Sequence, residues 1–229
     1  MFVTTRKKPT PPNAGRKSAY VARNRAALLR ASQRVLAEIG PVASIDQFAE
    51  AAEVSVSTIY KHFDNKDALI SAAFIEAFRD WELWADNHLE GIEDPLEDLV
   101  LPMRLFLRLK KTHPLYAAMS ARNLADLPKY FHGTEEGLVE HIGELMKKKI
   151  IEIESPAIRI RSLSACILAG LADQLLNPAA TEKDADATVE VILSILGISP
   201  AKAKKLAHGP MPDLTKLLLL TSGPLSHRA

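Results

Sequence analysis

The sequence predicts an all-α protein: an N-terminal three-helix domain joined by a long helix to a C-terminal helical bundle, about nine to ten helices in all. Three observations predict it. Apolar residues recur at spacings of three and four along most of the chain. Runs of this kind are opened by Ser, Thr, Asn or Asp caps, often with proline at the first helical position. No stretch alternates apolar and polar residues with β-branched enrichment, and no internal repeat is present.

Residues 1–18 combine Pro, Gly, Thr and five basic residues with few apolar ones, and are expected to form a flexible basic arm. The first helix is expected from about Ala19 to Ile39, with Leu28, Val35, Leu36 and Ile39 on one face and Gly40-Pro41 ending it. Ser44-Ile45-Asp46-Gln47 has the form of a capping box. Ile45, Phe48, Ala49 and Ala52 then give a short second helix an apolar face. Ser55 caps a third short helix, Val56 to His62, with Ile59 and Phe63 facing inward. Asp64-Asn65 ends that helix and offers a cap for a long fourth helix from Lys66 to about Leu89. Asp94-Pro95-Leu96-Glu97 opens the next, which should reach about Lys111 with a kink or break at Pro102. Further helices are expected from His113-Pro114 to Ala125, from Thr134 to Ile150, from Ser155-Pro156 to Asn177, and from Thr181 to Leu196 before Gly197. Ser199-Pro200 and Asp213 mark two short terminal helices. The expected divisions are therefore 1–18, the arm; 19–65, a three-helix unit; and 66–229, a helical bundle.

The composition, 47% apolar and 25% charged, is that of an ordinary globular protein rather than a disordered chain. Cys166 is the single cysteine, which excludes an intramolecular disulfide or a cysteine zinc cage and fits a reducing compartment. Pro9 to Asn13 occupy the place where a signal peptide needs apolar residues, and no apolar run approaches the ~20 residues of a membrane helix. The expected location is the cytoplasm, away from membranes. Net charge is only +1, but it is unevenly spread. Residues 1–66 hold eleven Lys or Arg against five Asp or Glu, and the remainder eighteen against twenty-three. A basic first third on an acidic remainder points to a polyanion-binding module joined to a partner that avoids polyanions.

Two short helices separated by about three residues, following a longer one, form the helix-turn-helix arrangement in which the third helix enters the major groove of DNA. The residue types suit that task. Base reading requires small polar side chains near the helix N-terminus, and phosphate clamping requires long cationic or phenolic ones beside it. Ser55, Val56, Ser57 and Thr58 supply the first kind, and Tyr60, Lys61, His62 and Lys66 the second. The stretch Ile45 to Leu69, above all Val54-Ser55 through Tyr60, Phe63, Lys66 and Leu69, closely resembles the DNA-binding signature of the tetracycline-repressor (TetR/AcrR) family. The resemblance covers roughly residues 24–72. Two positions depart from it: Glu53 stands where glycine is usual in the turn, and Ser57 where glycine or another small residue is common. The resemblance implies that Ser44, Thr58, Tyr60, Lys61, His62 and Lys66 contact phosphates, while Ser55, Val56 and Ser57 face bases. Ser44 and Ser55 serve equally well as helix caps.

By the same resemblance, residues from about 66 onward form a bundle that holds a small organic effector, and the last two long helices make a homodimer. The sequence adds independent support. Small residues on the helix 156–176 allow close helix approach, and with 182–196 a four-helix interface is expected through Leu163, Ile167, Gly170, Leu171, Val189, Ile192 and Leu193. Packing of both faces within one chain is the alternative. The ligand candidates are Phe78, Trp81, Trp84, Met103, Phe106, Tyr116, Met119, Arg122 and Asn123, an apolar set with few polar anchors. Arg122 suits an anionic or carbonyl-bearing ligand, or pairs with Asp126. The expected function is a sequence-specific regulator binding double-stranded, palindromic operator DNA and released from it by a ligand. A ligand-independent DNA-binding protein is the first alternative, and a helical enzyme the second. The usual phosphate-loop, nucleophile and zinc motifs do not occur, so no cofactor is expected. His132, Glu136, Glu140, His141 and Glu144 read better as a solvated charged face than as a metal site.

Overall fold

The computed structural model describes residues 12–131 and 136–211. Within them there are helices and no strand, as the apolar periodicity requires. The N-terminal unit comprises α1 (Pro12–Glu38), α2 (Ile45–Ala51) and α3 (Val56–Tyr60). Helix α1 starts seven residues earlier than expected, so residues 12–18 belong to it and not to an arm. Proline is tolerated in a first helical turn, where its missing N–H has no intrahelical acceptor, and the residues after it include only one glycine. Residues 1–11 of the expected arm lie outside the described residues, as do the caps expected at Thr134 and Asp213. Leu36, Phe48, Ile59 and Leu69 are wholly buried and fuse the three helices to the start of α4 (Lys66–His88).

Helix α4 carries the chain from the N-terminal unit into the bundle. Asn65 caps it, accepting from the Ala68 N–H at 2.8 Å. The helix expected over 95–111 is divided into α5 (Pro95–Phe106) and α6 (Leu109–Thr112). The division falls after Phe106, while Pro102 stays within α5. Arg108 explains the shift. Its Nη1 donates to the Arg104 carbonyl, the acceptor its own backbone would use in a continuous helix, and its N–H turns to Leu105 instead. The helix expected over 113–125 likewise becomes α7 (Pro114–Arg122), a 3-10 turn (Leu124–Asp126) and α8 (Leu127–Phe131). These divisions raise the number of α-helices among the described residues to twelve. The remainder are α9 (Glu136–Lys147), α10 (Pro156–Leu176), α11 (Glu182–Ile195) and α12 (Pro200–Ala207). Ser155 precedes α10 in a left-handed conformation, φ +53°, and its hydroxyl caps nothing.

Two buried arginines fasten α5 to α11. Arg104 Nε donates to Asp186 Oδ1 at 2.9 Å, and Arg108 Nη2 donates to the same oxygen at 2.9 Å. Arg104 Nη1 also reaches the Gly209 carbonyl beyond α12, and Arg108 Nε reaches Glu182. Helices α10 and α11 pack on each other within one chain, which corrects the expected dimer residues. Leu163, Gly170, Leu171, Val189, Ile192 and Leu193 are buried in the protomer, and Ile167 is half-buried against the same core. A Cβ on Gly170 would lie 2.5 Å from Thr188 Cγ2 and 3.3 Å from Leu107 Cδ2, so glycine there permits the α10–α11 crossing. The opposite faces are open: Ile158, Ser162, Ala165, Ala169 and Leu176 on α10, and Ala187, Val191 and Ser194 on α11.

Candidate nucleic-acid interface and effector cavity

Helix α3 is presented by a turn and two caps. Glu53, in the turn, takes φ +55°, a left-handed conformation that costs an L-residue roughly 1–2 kcal/mol. Ser44 completes a capping box with Gln47, its own N–H donating to Gln47 Oε1 at 2.8 Å and its hydroxyl accepting from the Gln47 N–H at 3.3 Å. Ser55 Oγ accepts from the Thr58 N–H and lies 2.8 Å from both Ser57 Oγ and Thr58 Oγ1. The cap and the small polar ridge are thus one hydrogen-bonded unit. Ser44, Ser55, Ser57, Tyr60 and Lys61 are exposed; Val56, Thr58 and His62 are half-buried, and Val56 packs on the core. Tyr60 projects into solvent with half its surface free, 51%, which excludes the core-edge role open to an aromatic here.

Lys66 is placed differently from the expectation. Its Nζ donates to the Pro41 carbonyl at 3.0 Å and the Ala43 carbonyl at 3.1 Å, so two of its three donors hold the loop before α2. Two more polar ties join the N-terminal unit to the bundle. Buried Gln33 donates to the Ala73 carbonyl of α4 at 3.2 Å. Arg122 Nε donates to the Ala37 carbonyl near the end of α1 at 2.7 Å. Arg122 is thus a strut between α7 and α1, not an anchor inside a pocket and not a partner of Asp126. Arg25, which sequence reasoning passed over, lies with its guanidinium 5.3 Å from the Phe63 ring centroid.

Five of the nine ligand candidates meet around one cavity. Phe78 and Trp81 of α4, Phe106 of α5, and Tyr116 and Met119 of α7 line a small, partly open space of about 20 Å³. Their rings interlock: Phe78 stacks on Trp81 at 5.7 Å, and Trp81 meets Phe106 edge-on at 5.0 Å. Phe74, Ala77, Leu109 and Ser120 complete the wall and were missed. Spacing was the available signal, since 74, 78 and 81 share one helical face, as do 116, 119 and 120. Four candidates stand elsewhere. Met103 faces a separate open cleft of about 410 Å³ between α4, α5 and α9, which Trp81 also borders. Trp84 packs edge-on against His113 at 4.7 Å. Asn123 is buried behind the wall, donating to the Met119 carbonyl, and Arg122 is the strut already described.

The polar groups beside the cavity are uncharged or already paired. His113 stacks on Tyr116, and burial, then repulsion from His88, lowers its imidazole to about 4. Burial and the Asp80 carboxylate, to which Tyr116 donates at 3.1 Å, push the Tyr116 phenol well above its ordinary range. Among the described residues, Trp81 Nε1, Trp84 Nε1, His113 Nδ1 and Asn123 Oδ1 are buried with no hydrogen-bond partner. No three His, Cys, Asp or Glu side chains of the described residues converge as metal ligands, and none of the described helices is long and apolar enough to cross a membrane.

Residues 28–73 match the family model described as bacterial regulatory proteins, tetR family. Among solved structures, RolR without ligand is 18% identical, with 82% of this chain and 98% of that one covered and a TM-score of 0.67. RolR in complex with resorcinol is 19% identical, covering 86% and 98%, with a TM-score of 0.61. The fatty acid degradation regulator FadR from Bacillus halodurans is 18% identical, covering 83% and 97%, with a TM-score of 0.59. At these identities the shared property is the fold. No curated protein matches the chain in sequence.

Proposed function

We propose that this chain, whose residues 28–73 match the tetR family of bacterial regulatory proteins, is a DNA-binding transcriptional regulator that works as a homodimeric repressor, which a small organic effector releases from a palindromic operator. The observation that carries the reading is the α3 ridge. Ser55 and Ser57 lie exposed at its N-terminus and Tyr60 and Lys61 at its other end, all on a unit tied to both main walls of an aromatic cavity. Ser57 is the side chain best placed to approach base edges, and Tyr60 and Lys61 to hold phosphates.

The coupling follows from the ties. Helix α4 begins at the Lys66 clasp and α7 ends at the Arg122 strut, and both helices line the cavity. A ligand that spreads α4 from α7 therefore moves two attachments of the same N-terminal unit. RolR, which shares the fold, has been solved both without ligand and with resorcinol, which supports a small-molecule effector. The open stripe on α10 and α11, centred on Ala169 and Val191, is the surface for the second copy. It replaces the buried residues expected from sequence.

Selection of duplexes from a random pool by the full-length protein tests the reading. An enriched inverted repeat is the expected result, with binding that falls steeply as salt rises. Ser57→Tyr should abolish or redirect the selected sequence while leaving the fold intact, because Ser57 is exposed. Recovery of no shared motif at moderate salt would overturn the proposal.

A further inference from the structure

The aromatic cavity also carries information about what it binds, and the inference rests on reading it as the effector site. Phe74, Phe78, Trp81, Phe106 and Tyr116 line the space, and no Lys, Arg, Asp or Glu stands among its lining residues. Flat, apolar walls of this kind suit an aromatic ring. They are not wholly apolar, however. Trp81 is 5% exposed, forms part of the wall, and its Nε1–H meets no acceptor. One helical turn on, Trp84 Nε1 and His113 Nδ1 are also buried without partners, in rings 4.7 Å apart. Buried polar atoms in native proteins are rarely left unpaired, and three of the four found among the described residues gather at this end of α4.

We infer that the effector is an uncharged aromatic molecule bearing a hydroxyl or carbonyl oxygen, with its ring among Phe78, Phe106 and Tyr116 and its oxygen accepting a hydrogen bond from Trp81 Nε1. A charged ligand is disfavoured at both ends of the scale. An anion would meet no cation among the lining residues, and His113, neutral at ordinary pH, does not supply one. A cation would gain from the ring faces but would leave the indole N–H groups unpaired, and the Asp80 carboxylate is engaged by the Tyr116 hydroxyl. An unsubstituted arene fills the walls and also leaves the donors unpaired. About 20 Å³ holds roughly one water, whereas a dry cavity that takes benzene measures on the order of 150 Å³. The wall must therefore give, and it can do so at Trp81, because that residue also borders the open cleft of about 410 Å³.

The test uses phenol, toluene, benzoate and benzylamine on the full-length protein. Trp81 and Trp84 are the only two tryptophans in the chain, so intrinsic fluorescence reports on the site directly. Calorimetry gives the affinities. Phenol and toluene are nearly equal in size, and phenol should bind about ten-fold more tightly, the effect of one well-made buried hydrogen bond. Benzoate and benzylamine should bind more weakly than phenol. Trp81→Phe should reduce phenol to the level of toluene and leave toluene little changed. Equal affinities for phenol and toluene in the wild type would overturn the inference, as would preference for either ion, or no binding of any of the four. Tight phenol binding that leaves the selected operator's affinity unchanged would instead sustain this ligand class and defeat the effector reading.

Discussion

Glu53 turns the chain between α2 and α3 at φ +55°, a conformation that glycine adopts without steric cost. Relief of that strain outweighs the extra entropy of an unfolded glycine, so Glu53→Gly should stabilise the protein by about 0.5–1 kcal/mol. A thermal midpoint that rises while operator affinity holds is the expected result, and a fall would contradict the strain assignment. The family resemblance already marked this site, because Glu53 stands where glycine is usual in the turn. His113 was not marked. Its neutrality depends on Trp84, Tyr116 and His88, which no local pattern brings together. Its folded value of about 4 lies below the ordinary 6.5, so the unfolded chain takes up the proton first as pH falls. The stability that neutral His113 contributes is whole above about pH 6.5 and is lost as pH falls toward 4. Urea midpoints at pH 7 and pH 5 should therefore differ more for the wild type than for His113→Phe, and equal differences would refute the assignment.

Helices were legible wherever a cap and a periodic face coincided, as at Ser44, Asn65 and Thr181, and at Asp94, where a proline follows the cap. Boundaries that depend on distant partners were not. The break between α5 and α6 is made by Arg108, which takes the Arg104 carbonyl and bonds Asp186, seventy-eight residues away. Asp186→Ala would leave both arginines with less than the partners their burial requires, at a cost of about 3–5 kcal/mol. A chemical-denaturation midpoint unchanged by that substitution would show that the pair is not what fastens α5 to α11. Facing was the other element-scale difficulty. Helix α10 is apolar on both sides, Leu163 and Leu171 inward and Ile158 and Leu176 outward, so periodicity identifies the helix without saying which side meets a second copy. The structure makes the choice testable. Ala169→Arg, on the open stripe, should give folded monomers in sedimentation, whereas Val189→Asp should unfold the protomer because Val189 is wholly buried. Folded dimers of Ala169→Arg would locate the interface elsewhere.

At the scale of the molecule, an N-terminal unit with exposed serines on α3 is attached through Lys66, Gln33 and Arg122 to helices that enclose an aromatic cavity. The α2–α3 half of this arrangement was readable because it is local: caps, turn and core fall within a short stretch of chain. The cavity half was readable only in part. Five lining residues followed from aromatic and methionine spacing, but the inward direction of Phe74 and Ser120 and the outward role of Arg122 arise from tertiary packing of α7 against α1 and α4. The central claim is that cavity and α3 are energetically coupled. Anisotropy of a labelled duplex carrying the selected inverted repeat measures this directly, titrated with full-length protein alone and again with the cavity saturated by whichever arene binds most tightly. A coupling of about 1–3 kcal/mol predicts a ~5–150-fold loss of operator affinity, matched by an equal loss of arene affinity on the operator-bound protein. Operator affinity that is the same with the cavity empty and saturated would contradict the account.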